Sequence, residues 1–326
     1  MLKISKFLLI ASALLVGCSS NNTKEETSSN TKEETSNSTK EESGKVSTPK
    51  ESLTIATYPN KTQYNCGNNF DKEGLTLEYT DKDGNKTIVT DFTISDDKNL
   101  KATQDSVTAT YKNLSIEIEI SVAEIIEGQI TCVGDSLTEG HSWPTESYPN
   151  YIDDNLGGHL ITVSNCGKNG ASFKTFGQYN PAYNTTTQYQ TSLTGSPIVL
   201  SILLGTNDAT NWENEKNDYV KDYTDLVNLY RTTFGEDLNI IMITSPRCVS
   251  PNSFGIPSDT ICNEVVPLQR ELAEDLDCYL IDLNKEFESY TDEQLFRPND
   301  GVHFTKMAAE VTANLLAEEI KSIYGI

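Results

Sequence analysis

Gln129-Ile-Thr-Cys-Val-Gly-Asp-Ser-Leu137 is the stretch on which the fold turns. Its first half, Gln129–Val133, is a short apolar run of the kind found in a sheet buried on both faces. The run breaks at Gly134, which permits a tight turn from strand to helix. Working outward, Leu160–Ser164, Ile198–Leu204, Leu238–Thr244 and Tyr279–Leu283 read as further strands. Helical stretches lie between them, including Tyr148–Leu156, Asp218–Thr233 and Asn263–Leu276, and a helix from Thr305 to Ile323 closes the chain. Alternating strands and helices predict a three-layer α/β/α unit with a parallel sheet. In such a sheet, functional groups collect beyond the carboxyl ends of the strands.

Four short blocks fall at such places. Gly134-Asp-Ser-Leu137 follows the first strand and puts Ser136 at the start of a helix, where the dipole favours developing negative charge. It is not Gly-x-Ser-x-Gly, so the α/β-hydrolase elbow is not matched. Asn165-Cys-Gly-Lys-Asn-Gly170 follows the second strand and offers two turn-forming glycines, Gly167 and Gly170. Gly205-Thr-Asn-Asp208 follows the third. Asn207 there is either a fixed amide donor or the cap of the next helix. Asp300-Gly-Val-His303 precedes the last helix, and at this spacing the carboxylate can reach one ring nitrogen while the other faces a serine. Imidazole titrates near neutral pH, which suits proton transfer. His141 and His159 have no such partner in the sequence and read as surface or loop residues.

Together the blocks resemble the SGNH (GDSL) hydrolase family, over roughly residues 128–326. The resemblance implies a flavodoxin-like catalytic domain and a serine esterase. Ser136, Asp300 and His303 would be the triad, and the Ser136 and Gly170 N–H groups with the Asn207 amide the oxyanion hole. Gly170 matches the family's second block better than Gly167. No cofactor is implied. The chain has three histidines, and no Cys/His set has metal-ligand spacing. The segment Tyr179–Gln190, with Asn263-Glu-Val-Val-Pro-Leu268, is similar to members acting on acetylated carbohydrates. The expected substrate is therefore a short-chain, O-acetyl ester on a carbohydrate. A lipase or lysophospholipase on the same fold is the first alternative, and a non-catalytic surface adhesin the second. Phe173, Phe176, Tyr179, Tyr183, Tyr189, Trp143, Trp212 and the Arg247–Pro257 loop lie near strand ends, either to stack on sugar rings or to pack the loops.

Residues 51–126 read differently. Short alternating bursts recur, and Leu114–Val122 predicts one period-two strand with Leu114, Ile116, Ile118, Ile120 and Val122 on one face. Asp81-Lys-Asp-Gly-Asn85 is a hairpin-turn signal. The pattern is similar to bacterial Ig-like surface domains, which implies an all-β sandwich ahead of the catalytic domain at 127–326. No binding constellation shows in it, so a spacer is expected.

The chain begins with Lys3 and Lys6, an apolar core from Phe7 to Val16, and Leu15-Val-Gly-Cys18. Residues 1–18 thus resemble a lipoprotein signal, implying lipidation at Cys18 and tethering to the outer face of a cell membrane. Residues 19–50 carry Thr-Lys-Glu-Glu three times, from Thr23, Thr31 and Thr39, with few apolar groups, and predict a disordered spacer. The formal net charge is −23, which opposes binding to nucleic acid. Cys132 and Cys278 read as buried thiols, and whether Cys248 and Cys262 pair is left open by the spacing.

Overall fold

The computed structural model describes residues 50–326. Cys18, the signal segment and the charged repeats lie outside the described residues. The chain forms β1 (Ser52–Thr57), β2 (Gln63–Cys66), β3 (Thr76–Thr80), β4 (Lys86–Val89), β5 (Thr93–Ser95), β6 (Ser106–Tyr111), β7 (Leu114–Glu119) and β8 (Ser121–Gly134). Then come β9 (Leu160–Gly167), β10 (Pro197–Leu203), β11 (Asn239–Ile243) and β12 (Tyr279–Ile281).

The larger sheet runs β9-β8-β10-β11-β12, all parallel. Numbered within that sheet this is the order 2-1-3-4-5, and the crossover direction reverses between β8 and β10. That reversal opens the crevice in which ligands of doubly wound sheets bind, and Ser136 follows β8 directly. β10 and β11 are buried throughout, because helices cover both faces. One face packs against Ile152, Ala309, Ala313, Leu316 and Ile320. The other packs against Tyr219, Tyr223, Val227, Val266 and Leu272.

Several boundaries move for local reasons. The helix expected from Asp218 spans Trp212–Phe234, because buried Trp212 anchors a first turn that is otherwise polar. Tyr148–Leu156 is a 3₁₀ turn over Tyr148–Tyr151 followed by the short helix Ile152–Asn155, with Pro149 in the first turn. Asn263–Leu276 divides into a π turn, Ile261–Val265, and the helix Val266–Asp275. The last helix is Lys306–Tyr324, capped by the Thr305 side chain on the Ala308 N–H.

The β region holds two three-stranded antiparallel sheets, β1-β3-β4 and β5-β6-β7. Both contribute to one core that includes Leu77, Val107, Ala109 and Ile118. The single strand expected over Leu114–Val122 is in fact two. β7 ends at Glu119, the Ile120 N–H donates to the Asp105 carbonyl, and β8 begins at Ser121 in a different sheet. Period two continues through the break, so the pattern hides it.

β8 is 14 residues long and crosses from one region into the other. Its first part, Ser121–Ile126, pairs in parallel with β2; its second, from Glu127 on, pairs with β9 and β10. Asn65 and Asn68 both donate to the Glu127 carboxylate, at 2.9 and 3.2 Å. Their hydrogen bonds hold that carboxyl below its usual range. Asn99 Nδ2 reaches the Asp237 carbonyl at 2.9 Å, and the Ala102 N–H reaches the Tyr324 carbonyl at 3.0 Å. The β region is therefore built onto the larger sheet. A spacer held by a linker would make none of these bonds.

Among the described residues, no helix is long and apolar enough to cross a membrane. Cys66, Cys132, Cys166, Cys248, Cys262 and Cys278 are free thiols. Burial pushes Cys132 up to about 12 and Cys278 up to about 11, so neither is a ready nucleophile.

Candidate active site

β8 ends at Gly134, where any side chain would overlap the Thr138 hydroxyl and press on the Leu203 carbonyl. The chain turns there into the helix Ser136–Glu139. Asp135 caps it, accepting the Leu137 N–H at 2.8 Å. Ser136 is the first helical residue and is buried. The helix is only four residues long, so little dipole accumulates, and what it offers an anion is its free N–H groups.

The second block is tied to the first. The Lys168 N–H donates to the Gly134 carbonyl at 2.9 Å, and Asn165 Nδ2 to the Thr138 carbonyl at 2.8 Å. Gly167 is the last residue of β9, and a side chain there would run into the backbone at Glu139. Gly170 has φ +73° and lies against the Tyr179 carbonyl. Its own carbonyl accepts from Asn180 Nδ2 at 3.1 Å. Gly167 thus serves close packing, whereas Gly170 shapes a left-handed loop. Among the described residues nothing accepts the Gly170 N–H.

The third block closes on both. Asn207 is buried and does not cap the turn Asp208–Asn211 with its side chain. Its Nδ2 donates to the Ala171 carbonyl at 3.0 Å and to Asp135 Oδ2 at 3.3 Å. Behind it lie more carboxyls. Asp208 Oδ1 accepts the Phe173 N–H at 2.8 Å, while the buried Oδ2 has no partner. Burial pushes Asp208 up to about 7, with nearby Glu215 and Asp135 adding to the rise. Burial likewise pushes Asp135 up to about 7, against the Leu137 N–H, His303 and Thr206.

The fourth block holds a histidine–carboxylate pair. His303 Nδ1 lies 2.8 Å from Asp300 Oδ2 and 3.1 Å from Oδ1. Asp300 Oδ1 also accepts the Val302 and His303 N–H groups, at 2.9 and 2.8 Å. Burial works against the Asp300 charge, but these hydrogen bonds and the imidazole outweigh it and hold the carboxyl below its usual range. With Nδ1 bound to the carboxylate, Nε2 is the nitrogen left for chemistry. No hydrogen bond joins Ser136 Oγ to His303 among the described residues; such bonds are often long in free enzymes and tighten on substrate binding.

His141 departs from the sequence reading. It sits just past the helix Ser136–Glu139 at φ +37°, and its ring stacks on His303 with centroids 4.2 Å apart and planes 11° from parallel. Its Nδ1 lies 3.1 Å from Asn169 Oδ1. His141 does lie in a turn, as its sequence suggests, but a partner so far along the chain leaves no trace in spacing. His159 plays a local structural part, accepting the Ile126 N–H at 3.0 Å.

The aromatic residues divide into two sets. Tyr183 and Trp212 are buried, Phe173 packs on Tyr219 and Tyr223, and Tyr189 on Tyr183. Those residues pack the loops. Trp143, Tyr179 and Phe254 are 37%, 77% and 46% exposed. Phe254 meets the His303 ring edge-on at 4.9 Å, Trp143 lies 6.4 Å from His141 under Arg297, and Tyr179 adjoins Gly170. Two exposed rings, Phe254 and Trp143, thus lie beside His303 and His141, and exposed Tyr179 belongs to the loop next to Gly170. Among the described residues, no His/Cys/Asp/Glu group is arranged to hold a metal ion.

A model of the GDSL-like lipase/acylhydrolase family matches residues 132–310, more than half of the chain. The acetylxylan esterase of Xylanibacter ruminicola is 23% identical over 213 residues, which cover 59% of this chain and 43% of that protein. The chain therefore spans less than half of that relative's length. Among solved structures, a carbohydrate acetylesterase family member from Sinorhizobium meliloti aligns with a TM-score of 0.49 at 20% identity. It covers 62% of this chain and 100% of its own. The lipase/acylhydrolase from Enterococcus faecalis aligns at 0.47 and 22% identity, covering 61% and 97%.

Proposed function

The chain belongs to the GDSL-like lipase/acylhydrolase family, a family of carboxylic ester hydrolases, and from that premise we propose that it removes short acyl groups, acetyl above all, from carbohydrate. The observation that carries the reading is the junction of all four blocks at the Ser136 turn: Lys168 bonds to Gly134, Asn207 to Asp135, and the Asp300-bound His303 stacks on His141 just past the helix.

Ser136 Oγ attacks the acyl carbon as His303 Nε2 takes its proton. Asp300 holds the imidazole in the needed tautomer and offsets the charge it acquires. The carbonyl oxygen becomes an oxyanion facing the Ser136 and Gly170 N–H groups and Asn207 Nδ2. The longer Asn207 bond, to Asp135, is the one an oxyanion competes for, and Asp135 is a weak rival because burial disfavours its charge. Collapse breaks the ester C–O bond, and His303 returns the proton to the leaving alkoxide. Water then repeats the cycle on the acyl-serine and releases the acid.

A carbohydrate substrate is supported by exposed aromatic residues on the loops of the site, Phe254 beside His303 above all, and by the acetylxylan esterase relative. A long acyl chain gains about 0.8 kcal/mol per buried methylene only where an apolar groove receives it, and the loops around Ser136 are rich in polar residues such as Asn165, Asn169, Asn180 and Asn207. Specificity therefore falls from acetyl to butyryl to octanoyl esters in kcat/KM, and acetylated xylan releases acetate. A preference for octanoyl would replace this reading with a lipase. We read the β region as an Ig-like domain, on its short strands in two antiparallel sheets over one core. The motif at Cys18 supports a lipid anchor on the outer membrane face. Cys18→Ala should then move the protein from membrane to soluble fraction, and retention on the membrane contradicts the anchor.

A further inference from the structure

His141 takes no part in the chemistry described so far, yet it follows the Ser136 helix and touches both the loop of Gly170 and the ring of His303. It follows Gly140, the left-handed residue that ends the nucleophile helix. Its Nδ1 lies 3.1 Å from Asn169 Oδ1, next to Gly170, and the Asn169 N–H donates to Glu139 Oε2 at 3.1 Å. Its ring covers one face of His303 at 4.2 Å, and Phe254 stands edge-on to both imidazoles, at 6.3 Å from His141 and 4.9 Å from His303. His303 is thereby confined on one face by a ring, on its edge by Phe254 and at Nδ1 by Asp300.

We propose that His141 is a positioning residue for His303: its ring face fixes the plane of the catalytic imidazole and receives the positive charge which that imidazole gains on taking the Ser136 proton. The inference rests on the reading of His303 as general base. A neutral aromatic face attracts a cation, whereas a protonated His141 would repel one. The titratable groups facing His141 are His303 and Asp300 from the base loop and Glu139 from its own turn; the Asn169 and Phe254 side chains bring no charge, and Arg297 is held across Trp143. Burial, then the His303 charge, lower the affinity of His141 for a proton, against the Asn169 hydrogen bond and the two carboxylates. The balance keeps the platform neutral while the base works.

The test compares two substitutions on the full chain. His141→Asn suits the positive φ but removes the ring, and His141→Phe keeps a ring that cannot be protonated. At pH 8 the asparagine variant should lose roughly tenfold in kcat with KM nearly unchanged, the size of effect expected of a desolvated cation–ring contact. Phenylalanine should recover most of that loss. In acid, wild-type kcat/KM should steepen toward a two-proton dependence, and the phenylalanine variant should keep a one-proton limb. If both variants match wild type in kcat and in the acid limb, or if phenylalanine is as impaired as asparagine, the proposal is overturned. His303→Ala is run alongside: retained activity there overturns the general-base reading itself. An inactive His303→Ala with unaffected His141 variants overturns only the platform.

Discussion

The two halves of β8 make a useful contrast. Glu127–Gly134 pairs with β9 on one side and β10 on the other and delivers Ser136 to the crevice at its end. Ser121–Ile126 pairs with β2 and delivers nothing reactive. Chemistry thus belongs to one region, but the strand that carries it is shared. The β region also places Gly67 where any side chain would press on Ile198 and the Glu127 carbonyl. Cys66, on β2, belongs to the same core as Ile126, Ile198 and Ile241. The β region therefore belongs to the framework that holds the Ser136 turn.

The strongest way to break this contrast is to remove residues 50–119. That deletion strips β2 from β8 and uncovers Ile126 and Ile198, leaving an unpaired, apolar edge. The remainder should fail to give a soluble, cooperatively unfolding protein. A truncated chain melting within a few degrees of the full one would show that the two regions are independent.

Next in size is Asn207→Ala. Loss of one preorganised oxyanion donor lowers kcat by roughly 10²–10³. If the change appeared mainly in KM, Asn207 would be a ground-state contact instead.

The last effect concerns pH. Asp208 is fully buried, pushed up to about 7, and its Oδ2 lacks a partner. A carboxyl raised in the folded state contributes stability that is fully present below its unfolded value of about 3.9 and is lost as pH rises through about 7. Asp208→Asn keeps an oxygen for the Phe173 N–H and removes that loss. Its unfolding free energy should match wild type near pH 4 and exceed it by on the order of 4 kcal/mol at pH 8. A variant less stable than wild type at pH 8 would show that the Asp208 carboxylate is needed there.

Much of the catalytic half was legible because its signals are local. Apolar runs at Ile198–Leu204 and Leu238–Thr244 mark strands buried on both faces, and glycine, asparagine and the Asp300/His303 pair punctuate their ends. What stayed hidden depends on distant partners. β2 is a four-residue, partly polar strand that exists only because β8 accepts it. The break at Ile120 is masked because Ile118, Ile120 and Val122 keep one period across two sheets. The His141 stack and the exposure that separates Trp143 and Phe254 from Trp212 arise from packing that spacing does not encode.

The central claim is that Ser136 is the nucleophile of an ester hydrolase. The most direct measurement treats wild type and Ser136→Ala with a serine-directed phosphonate, follows acetyl-ester turnover, and maps the adduct by peptide mass. The account predicts one adduct on Ser136, complete loss of turnover with labelling, and neither adduct nor turnover in the alanine variant, which should keep the wild-type melting temperature. Full turnover in Ser136→Ala, or an adduct on another serine that tracks the loss of activity, would contradict it.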